Sequence, residues 1–300
     1  MELSLAFSPC PNDTYIFHAM INSLVDTEGL RFNVRMADVE ELNKLAQCGK
    51  IDICKLSYNA FFSLVDKYCM LRSGSALGYN NGPLFVKKAG KDIKFSNSQY
   101  RNNNPLIASG NTLITSNNPL IAIPGVNTSA ALLLKTAYPN YTNLTPMLFS
   151  NIEQAVLNEE VEAGVLIHEG RFTYKDKGLE LICDLGEFWQ DSFKHPIPLG
   201  GIAVNRILPL DVQQRVGRVL KRSILYANEH PSESANFIKE NAQEIATDVQ
   251  KKHIALFVND FTIDIGSEGE NAVQFMYSKH QQSIKNRSNS IHTTNLFIEE

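Results

Sequence analysis

Two blocks of alternating strand-like and helix-like sequence constrain the fold of this chain more than any other feature. In the first block, short apolar runs at residues 3–7, 30–36 and 51–56 alternate with segments of helical periodicity. The second block repeats this alternation from residue 119 to residue 167. Strands that alternate with helices form parallel sheets through right-handed crossovers. The sequence therefore predicts an α/β fold with two lobes, each built around its own sheet.

Polar residues that can cap helices mark where the first helices begin. Asn12, Asp13 and Thr14 can cap a helix that runs to about residue 24. Asp38, followed by Glu41, supplies a capping box for a helix that ends near residue 49. The other predicted helices span residues 58–66, 128–137 and 152–158, and the strands of the second block span residues 119–123, 144–149 and 161–167.

Segments rich in glycine and proline, at residues 77–88 and 196–201, mark where the chain crosses between the lobes. We expect residues 1–88 and 200–300 to form the first, larger lobe and residues 89–199 to form the second. Two crossings predict a hinged clamshell. The helical pattern of residues 208–284 should pack on the first lobe. Residues 89–118, rich in Asn, Ser and Gly, are interpreted as an insertion, either a β-hairpin or a loop.

Charge and composition exclude several classes of protein. The chain of 300 residues is 43% hydrophobic, enough for a large core, and has a net charge of -4 and a pI near 6.0. Without a basic field or a Lys/Arg run, binding to a phosphate backbone is not expected. The sequence therefore predicts a small-molecule partner and no nucleic acid, and it leaves the oligomeric state open.

The N-terminus and the cysteines bear on location and cofactors. Residues 1–7 lack the cationic start and long apolar stretch of a signal peptide, and no later segment reads as a membrane span. The five cysteines are odd in number and include no Cys-x-x-Cys pair, which argues against disulfides and structural zinc. Dinucleotide and P-loop fingerprints are absent from the sequence. We expect a cytoplasmic protein that uses no metal and no cofactor.

The segment after the last strand of the second block carries the clearest chemical signal. Residues 167–174 read Ile-His-Glu-Gly-Arg-Phe-Thr-Tyr, which puts His168 at the carboxyl end of a strand. Small ligands of open α/β sheets bind beyond those ends. The ordinary pKa of an imidazole also suits proton transfer near neutral pH. A hydrogen-bonded structural histidine is the alternative at such a position.

A second signal is a predicted helix start that could bind an anion. The run Pro-Gly-Val-Asn-Thr-Ser-Ala follows a strand, so backbone N–H groups, the hydroxyls of Thr128 and Ser129 and the positive end of the helix dipole converge. This predicts a carboxylate or phosphate site, unless the hydroxyls only cap the helix. On the first lobe, Lys55 and Ser57 end the third strand, where Ser57 could equally be an N-cap.

Several short motifs, in a fixed order from about residue 3 to beyond residue 270, carry a family resemblance. They are Ser-Pro-Cys-Pro-Asn-Asp-Thr at 8–14, Lys-Leu-Ser-Tyr at 55–58, Leu-Arg-Ser-Gly at 71–74, Gly-Pro-Leu at 82–84, Ile-Pro-Gly at 123–125 with Thr-Ser-Ala at 128–130, Glu-Ala-Gly at 162–164 continuing to residue 174, and Pro-Leu-Gly at 198–200. Together they resemble the 1,4-dihydroxy-6-naphthoate synthase family, which acts in menaquinone biosynthesis by the futalosine route.

The resemblance implies a periplasmic-binding-protein-like fold and an enzyme that acts on cyclic dehypoxanthine futalosine. It implies that His168 is the proton acceptor, and it leaves Asp13 and Arg72 near the cleft with less defined roles. Ser129 stands where a second threonine is usual, which keeps the hydroxyl. The substrate-binding residues that the resemblance implies are Lys55, Leu56 and Ser57 on the first lobe and Thr128 and Ser129 on the second.

The implied reaction is a fragmentation started by a base. With the substrate clamped between the lobes, neutral His168 removes a proton, the ring system opens, and a carbon–carbon bond breaks to release a sugar-derived fragment. Two alternatives remain: a non-catalytic binding protein for a small carboxylate, and a chorismate dehydratase-like enzyme of the same pathway. The motif around His168 and the motif at residues 8–14 favour the synthase.

Overall fold

The computed structural model describes residues 1–93, 118–242, 246–284 and 295–298. The chain divides into two compact units. Unit 1 comprises Met1–Asn81, Asn127–Ser129 and Pro196–Glu300, and unit 2 comprises Gly82–Val126 and Ala130–His195. The insertion predicted at residues 89–118 lies almost entirely outside the described residues.

Strands and helices alternate through most of the described chain. The strands are β1 (Glu2–Phe7), β2 (Arg31–Met36), β3 (Ile53–Ser57), β4 (Tyr68–Met70), β5 (Ala76–Gly78), β6 (Leu84–Lys88), β7 (Ile121–Ile123), β8 (Leu144–Pro146), β9 (Ala163–Leu166), β10 (Leu179–Asp184) and β11 (Ile197–Asn205). The helices are α1 (Pro11–Ile21), α2 (Val39–Gln47), α3 (Tyr58–Phe61), α4 (Ser129–Ala137), α5 (Phe149–Leu157), α6 (Gly170–Thr173), α7 (Leu185–Phe193), α8 (Leu210–Glu229), α9 (Ala235–Asn241), α10 (Thr247–Phe257), α11 (Asp260–Ile263) and α12 (Gly266–Ile284).

The sheet of unit 1 has the strand order β2-β1-β3-β11-β4, and β5 also pairs with β11. The first three strands are parallel, as predicted, whereas β11 runs antiparallel to β3, β4 and β5. Two of the boundaries between the units, Asn81/Gly82 and His195/Pro196, lie in or beside the predicted crossings at residues 77–88 and 196–201. Most of the second segment belongs to β11, a strand that the sequence did not predict. A Cβ at Gly200 would lie 2.7 Å from the Leu56 carbonyl oxygen, so this glycine permits close strand pairing rather than a loop.

The core of unit 1 lies between this sheet and the helices. Phe7 of β1 stacks on Phe17 of α1, with ring centroids 4.5 Å apart. The Ser223 hydroxyl on α8 donates to the Ile16 carbonyl and accepts from the Met20 N–H, which joins α8 to α1. The predicted packing of the helical C-terminal third on the first lobe is thus confirmed. The apolar residues that α8 buries are Val212, Val216, Val219, Leu220, Ile224 and Ala227.

Unit 2 is built on a sheet with the strand order β10-β6-β9-β7-β8. The predicted strands β7, β8 and β9 are parallel, while β6 and β10 add an antiparallel edge. Helix α5 packs tightly on β9, because a Cβ at Gly164 would lie 2.5 Å from a methyl group of Ile152. This close approach explains the glycine in a strand that is otherwise apolar and buried.

Three of the predicted helices differ from the observed ones. Helix α5 begins at Phe149 instead of residue 152, so the strand predicted at residues 144–149 is only Leu144–Pro146. The predicted cap of α1 is wrong: the helix begins with Pro11 after Cys10, and Asp13 is buried in its first turn instead of capping it. The helix predicted at residues 58–66 is only Tyr58–Phe61, since the Leu64 carbonyl then accepts from two later N–H groups in a turn that leads into β4. Half of the capping box predicted for α2 is confirmed, because Asp38 accepts from the N–H groups of residues 40 and 41. The Glu41 carboxylate instead accepts from Arg35.

Membrane-spanning segments were also expected to be absent. Within the described ranges, no helix combines the length and the apolar character that crossing a membrane requires.

Candidate active site

Lys55 and Asp13 form a buried ion pair in unit 1. The Lys55 ammonium on β3 donates to Asp13 Oδ1 over 2.8 Å, and the two side chains are 10% and 1% exposed. The other carboxylate oxygen accepts from the Ser8 hydroxyl at 2.7 Å, and the Asn12 amide donates to Oδ1. The motif at residues 8–14 therefore meets the motif that begins at Lys55. The sequence placed Asp13 near the site without indicating this pair.

Ser57, the last residue of β3, is held by Asn43 of α2. The Asn43 amide donates to the Ser57 hydroxyl at 3.2 Å, and the Ser57 N–H donates to Asn43 Oδ1 at 3.1 Å. Ser57 occupies the N-cap position of α3, but its hydroxyl makes no capping hydrogen bond there. The adjacent Leu56 is fully buried. The sequence analysis did not identify Asn43; the available signal is a polar residue on the helix face that carries Val39 and Ala46.

The segment Asn127–Ser129, which leads into α4, belongs to unit 1 through its contacts. The Asn127 amide donates to Glu40 Oε1 at 3.0 Å. The Ser129 hydroxyl donates to the Leu199 carbonyl at 2.7 Å and accepts from the Asn59 N–H at 3.3 Å. Thr128 and Ser129 are each 3% exposed. The structure therefore brings the predicted anion-binding segment into the same unit as Lys55 and Ser57, and the placement of Thr128 and Ser129 on the second lobe is wrong.

Glu40 contacts both Asn43, which holds Ser57, and the segment Asn127–Ser129. Its carboxylate accepts from Asn127 and, more weakly at 3.5 Å, from Asn43, which also holds Ser57. Burial raises the pKa of the Glu40 carboxyl, while the hydrogen bonds from Asn43 and Asn127 act in the opposite direction. Nothing in the sequence singled out Glu40, because its contacts come from segments distant along the chain.

His168 lies two residues beyond β9 in unit 2, at the strand end where the sequence placed it. Its backbone has φ = 54°, in the left-handed region that few residues other than glycine adopt. The imidazole is half-buried and packs against Phe149, with ring centroids 4.8 Å apart. Non-glycine residues in this region are uncommon, and sparsely populated backbone conformations cluster at functional sites, so this turn supports a functional role for His168.

Arg171 fixes the turn that follows His168. Its guanidinium donates to Asp184 Oδ2 at 2.7 Å and to the Gly82 carbonyl. Asp184 also caps α7 through its other oxygen. A Cβ at Gly82 would lie 2.3 Å from the backbone of Gly186, so the glycine of the Gly-Pro-Leu motif is required for this packing. The arginine and glycine of two separate motifs therefore have a structural reason to occur together.

Arg72 forms ion pairs with two carboxylates of unit 1. Its guanidinium pairs with Asp264 at 3.3 Å and with Glu270. Lys221 also binds Asp264, at 3.1 Å. A substrate carboxylate at Arg72 would have to compete with two protein carboxylates, which makes this residue a weak anion receptor.

Known proteins similar to this chain belong to the family that the sequence motifs indicate. A family described as "Menaquinone biosynthesis" matches residues 3–282. A 1,4-dihydroxy-6-naphthoate synthase of Thermus thermophilus is 35% identical over 277 residues, which cover 92% of this chain and 93% of that protein. The corresponding protein of Streptomyces coelicolor is 32% identical over 283 residues and covers 92% of each chain.

Solved structures support the predicted fold. A crystal structure of an Archaeoglobus fulgidus protein has a TM-score of 0.81 and 32% identity, and the match covers 94% of this chain and 97% of that one. A Candida albicans protein, described as having the generic periplasmic binding protein fold, has a TM-score of 0.65 at 13% identity, over 100% and 99% of the two chains. The predicted fold class is confirmed.

Proposed function

The chain belongs to the menaquinone biosynthesis family, and we propose that it is a carbon–carbon lyase that converts cyclic dehypoxanthine futalosine to 1,4-dihydroxy-6-naphthoate. The observation that carries the proposal is the placement of His168. It lies beyond β9 in a left-handed turn that Arg171 ties to Asp184. A histidine held in this way, in a chain whose relatives are named as the synthase, is suited to a defined proton transfer.

In the proposed reaction, the neutral imidazole of His168 accepts a proton from the substrate. The electrons left behind open the ring system, and a carbon–carbon bond breaks to release a sugar-derived fragment. Aromatisation of the remaining bicyclic product drives the reaction. A positioned general base contributes about 10²–10⁴-fold to the rate, so substrate positioning must supply much of the remainder.

Substrate binding is assigned to two segments of unit 1. Lys55, Leu56 and Ser57 would contact the substrate from the end of β3. Thr128 and Ser129, at the start of α4, would bind its carboxylate, because the first N–H groups of a helix and its dipole favour an anion. Buried polar partners hold both segments in place, which lowers the cost of ordering them when substrate binds.

The proposal includes a cytoplasmic location and a reaction without metal or redox cofactor. Cys48, Cys54, Cys69 and Cys183 are thiols, as is usual for cytoplasmic proteins. Burial raises the pKa of Cys54 and of Cys183 to about 12, so neither thiol is a nucleophile at neutral pH.

The test is to incubate purified protein with cyclic dehypoxanthine futalosine and to follow 1,4-dihydroxy-6-naphthoate by mass spectrometry. A parallel incubation with chorismate tests the dehydratase alternative. We expect product from the futalosine derivative and an unchanged chorismate sample. Dehydration of chorismate, or tight binding of either compound without turnover, would reject the proposed activity in favour of the corresponding alternative.

A further inference from the structure

Asn59, the second residue of α3, contacts the substrate-binding segment through its side chain and its backbone. Its amide nitrogen donates to the Thr128 carbonyl at 3.2 Å, and its backbone N–H donates to the Ser129 hydroxyl at 3.3 Å. On the other side, Asn59 Oδ1 lies 2.8 Å from Nδ1 of His280, which is on α12. Asn59 thus links the C-terminal helix to the start of α4.

The chemistry of these atoms fixes the direction of each hydrogen bond. A backbone carbonyl can only accept, so the Asn59 amide nitrogen must face Thr128 and Oδ1 must face the imidazole. An amide oxygen also only accepts, and therefore Nδ1 of His280 carries the proton. The other ring nitrogen lies 3.5 Å from the Ser63 hydroxyl, which can donate to it. Each polar atom in this chain of contacts then has a partner of the correct kind.

The surroundings of His280 favour its neutral form. The residue is 8% exposed, and its ring packs against Phe62 with centroids 5.5 Å apart. Burial lowers the pKa of the His280 imidazole to about 4. At neutral pH the ring is therefore an uncharged donor to Asn59 at Nδ1.

We propose that Asn59 and His280 are positioning residues for the carboxylate-binding segment Asn127–Ser129, an inference that rests on the proposed function. The peptide bond between Thr128 and Ser129 is planar and trans, so its C=O and N–H point in opposite directions. A hydrogen bond that holds the Thr128 carbonyl therefore also sets the direction of the Ser129 N–H. That N–H belongs to the first turn of α4, whose N–H groups have no acceptor within the helix.

Asn205 provides a matched control in the same unit. Its amide, like that of Asn59, donates to a backbone carbonyl over 3.2 Å, in this case that of Gly49, although Asn205 is buried and Asn59 is only half-buried. It touches none of the residues assigned to substrate. Asn59→Asp and Asn205→Asp each replace one amide donor by an oxygen that faces a carbonyl, and only the first affects the proposed segment.

Two readouts separate positioning from general stability. Hydrogen exchange of the backbone amides at residues 128–131 reports on the segment itself, and KM with cyclic dehypoxanthine futalosine reports on substrate binding. We expect Asn59→Asp to increase the exchange rate of these amides about tenfold and to raise KM about tenfold, while kcat changes by less than about threefold. Asn205→Asp should lower the melting temperature and leave both readouts unchanged.

His280 variants keep the test decisive if Asn59→Asp fails to fold. His280→Leu removes the donor and should move both readouts in the same direction, whereas His280→Asn retains an N–H near the Nδ1 position and should restore them. The proposal is overturned if Asn59→Asp behaves like Asn205→Asp, or if His280→Leu and His280→Asn are equivalent. If wild-type protein yields no product, the proposed function fails, and the exchange rates still decide whether these residues hold the segment.

Discussion

The Lys55 ammonium and Asp13 Oδ1 lie 2.8 Å apart, and both side chains are almost completely buried. Asp13 uses both carboxylate oxygens, because Ser8 and Asn12 also donate to it. A buried ion pair supported by hydrogen bonds is tolerated, whereas a single buried charge is not. Asp13 therefore determines where the ammonium of Lys55, in the middle of β3, is placed.

We expect Asp13→Asn to destabilise the protein by about 3–5 kcal/mol, since it leaves the Lys55 ammonium buried without a counter-charge. The double variant Asp13→Asn/Lys55→Met should lose less stability than Asp13→Asn alone, because it removes the stranded charge. Urea denaturation of the two single variants, the double variant and the wild type gives the coupling free energy. Additive losses would show that the two side chains do not depend on each other.

His168→Asn tests the base without disturbing the turn. Asparagine tolerates the left-handed backbone better than alanine does, so the variant should fold with the same φ = 54° conformation. We expect kcat to fall by about 10²–10⁴-fold, with KM changed by less than about threefold. Steady-state kinetics and far-UV circular dichroism provide the measurements. A variant that keeps more than about a tenth of the wild-type kcat would refute the general-base role.

The parallel strands of both units could be predicted from the sequence because each is a short apolar run beside a helical pattern. Strand β11 could not, since Pro198 and Gly200 resemble a loop until the close approach of the Leu56 carbonyl is known. The N-terminus of α1 was misassigned for a related reason: Asp13 has the chemistry of a cap, but Lys55 is a stronger partner than the helix N–H groups.

The candidate site was predictable where a residue stands at the end of a strand or the start of a helix, as Ser57, Thr128 and His168 do. Asn59 and His280 were not, because they are 221 positions apart and each looks ordinary in its own helix. Contacts of that kind depend on tertiary packing, which local sequence patterns do not encode.

The buried His280 should make stability depend on pH. Its folded pKa of about 4 lies below the ordinary value of 6.5, so between these two values the unfolded chain binds more protons than the folded one. The contribution of His280 is therefore fully present above about pH 6.5 and is lost as the pH falls toward about 4, by about 1–3 kcal/mol. Urea unfolding of the wild type and of His280→Asn across this range measures it.

We expect the wild type to lose more stability than His280→Asn as the pH is lowered. His230→Asn, at an exposed position on α8's C-terminal side, is the control and should follow the wild type. Parallel curves for the wild type and His280→Asn would mean that the buried imidazole does not contribute to the acid sensitivity of the fold.

The final prediction separates the two hydroxyls of the carboxylate-binding segment. The Ser129 hydroxyl already gives its proton to the Leu199 carbonyl at 2.7 Å. To bind a carboxylate it would have to give up that bond. We therefore expect Ser129→Ala to cost about 1–2 kcal/mol of stability and to change KM by less than about threefold.

Thr128→Ala/Ser129→Ala, by contrast, should raise KM at least about tenfold, because a charge-assisted hydrogen bond to the substrate is worth about 1.5–3 kcal/mol. Backbone N–H groups at the start of α4 should preserve some substrate binding in the double variant. In the wild type, simple carboxylates should compete with the substrate for this site. Ser129→Thr, which keeps a hydroxyl at this position, is the control and should match the wild type. Steady-state kinetics and thermal melts distinguish the outcomes.

An unchanged KM in the double variant, together with a lowered melting temperature, would mean that both hydroxyls only stabilise the fold. A tenfold rise in KM for Ser129→Ala at unchanged stability would mean that the Ser129 hydroxyl binds the substrate.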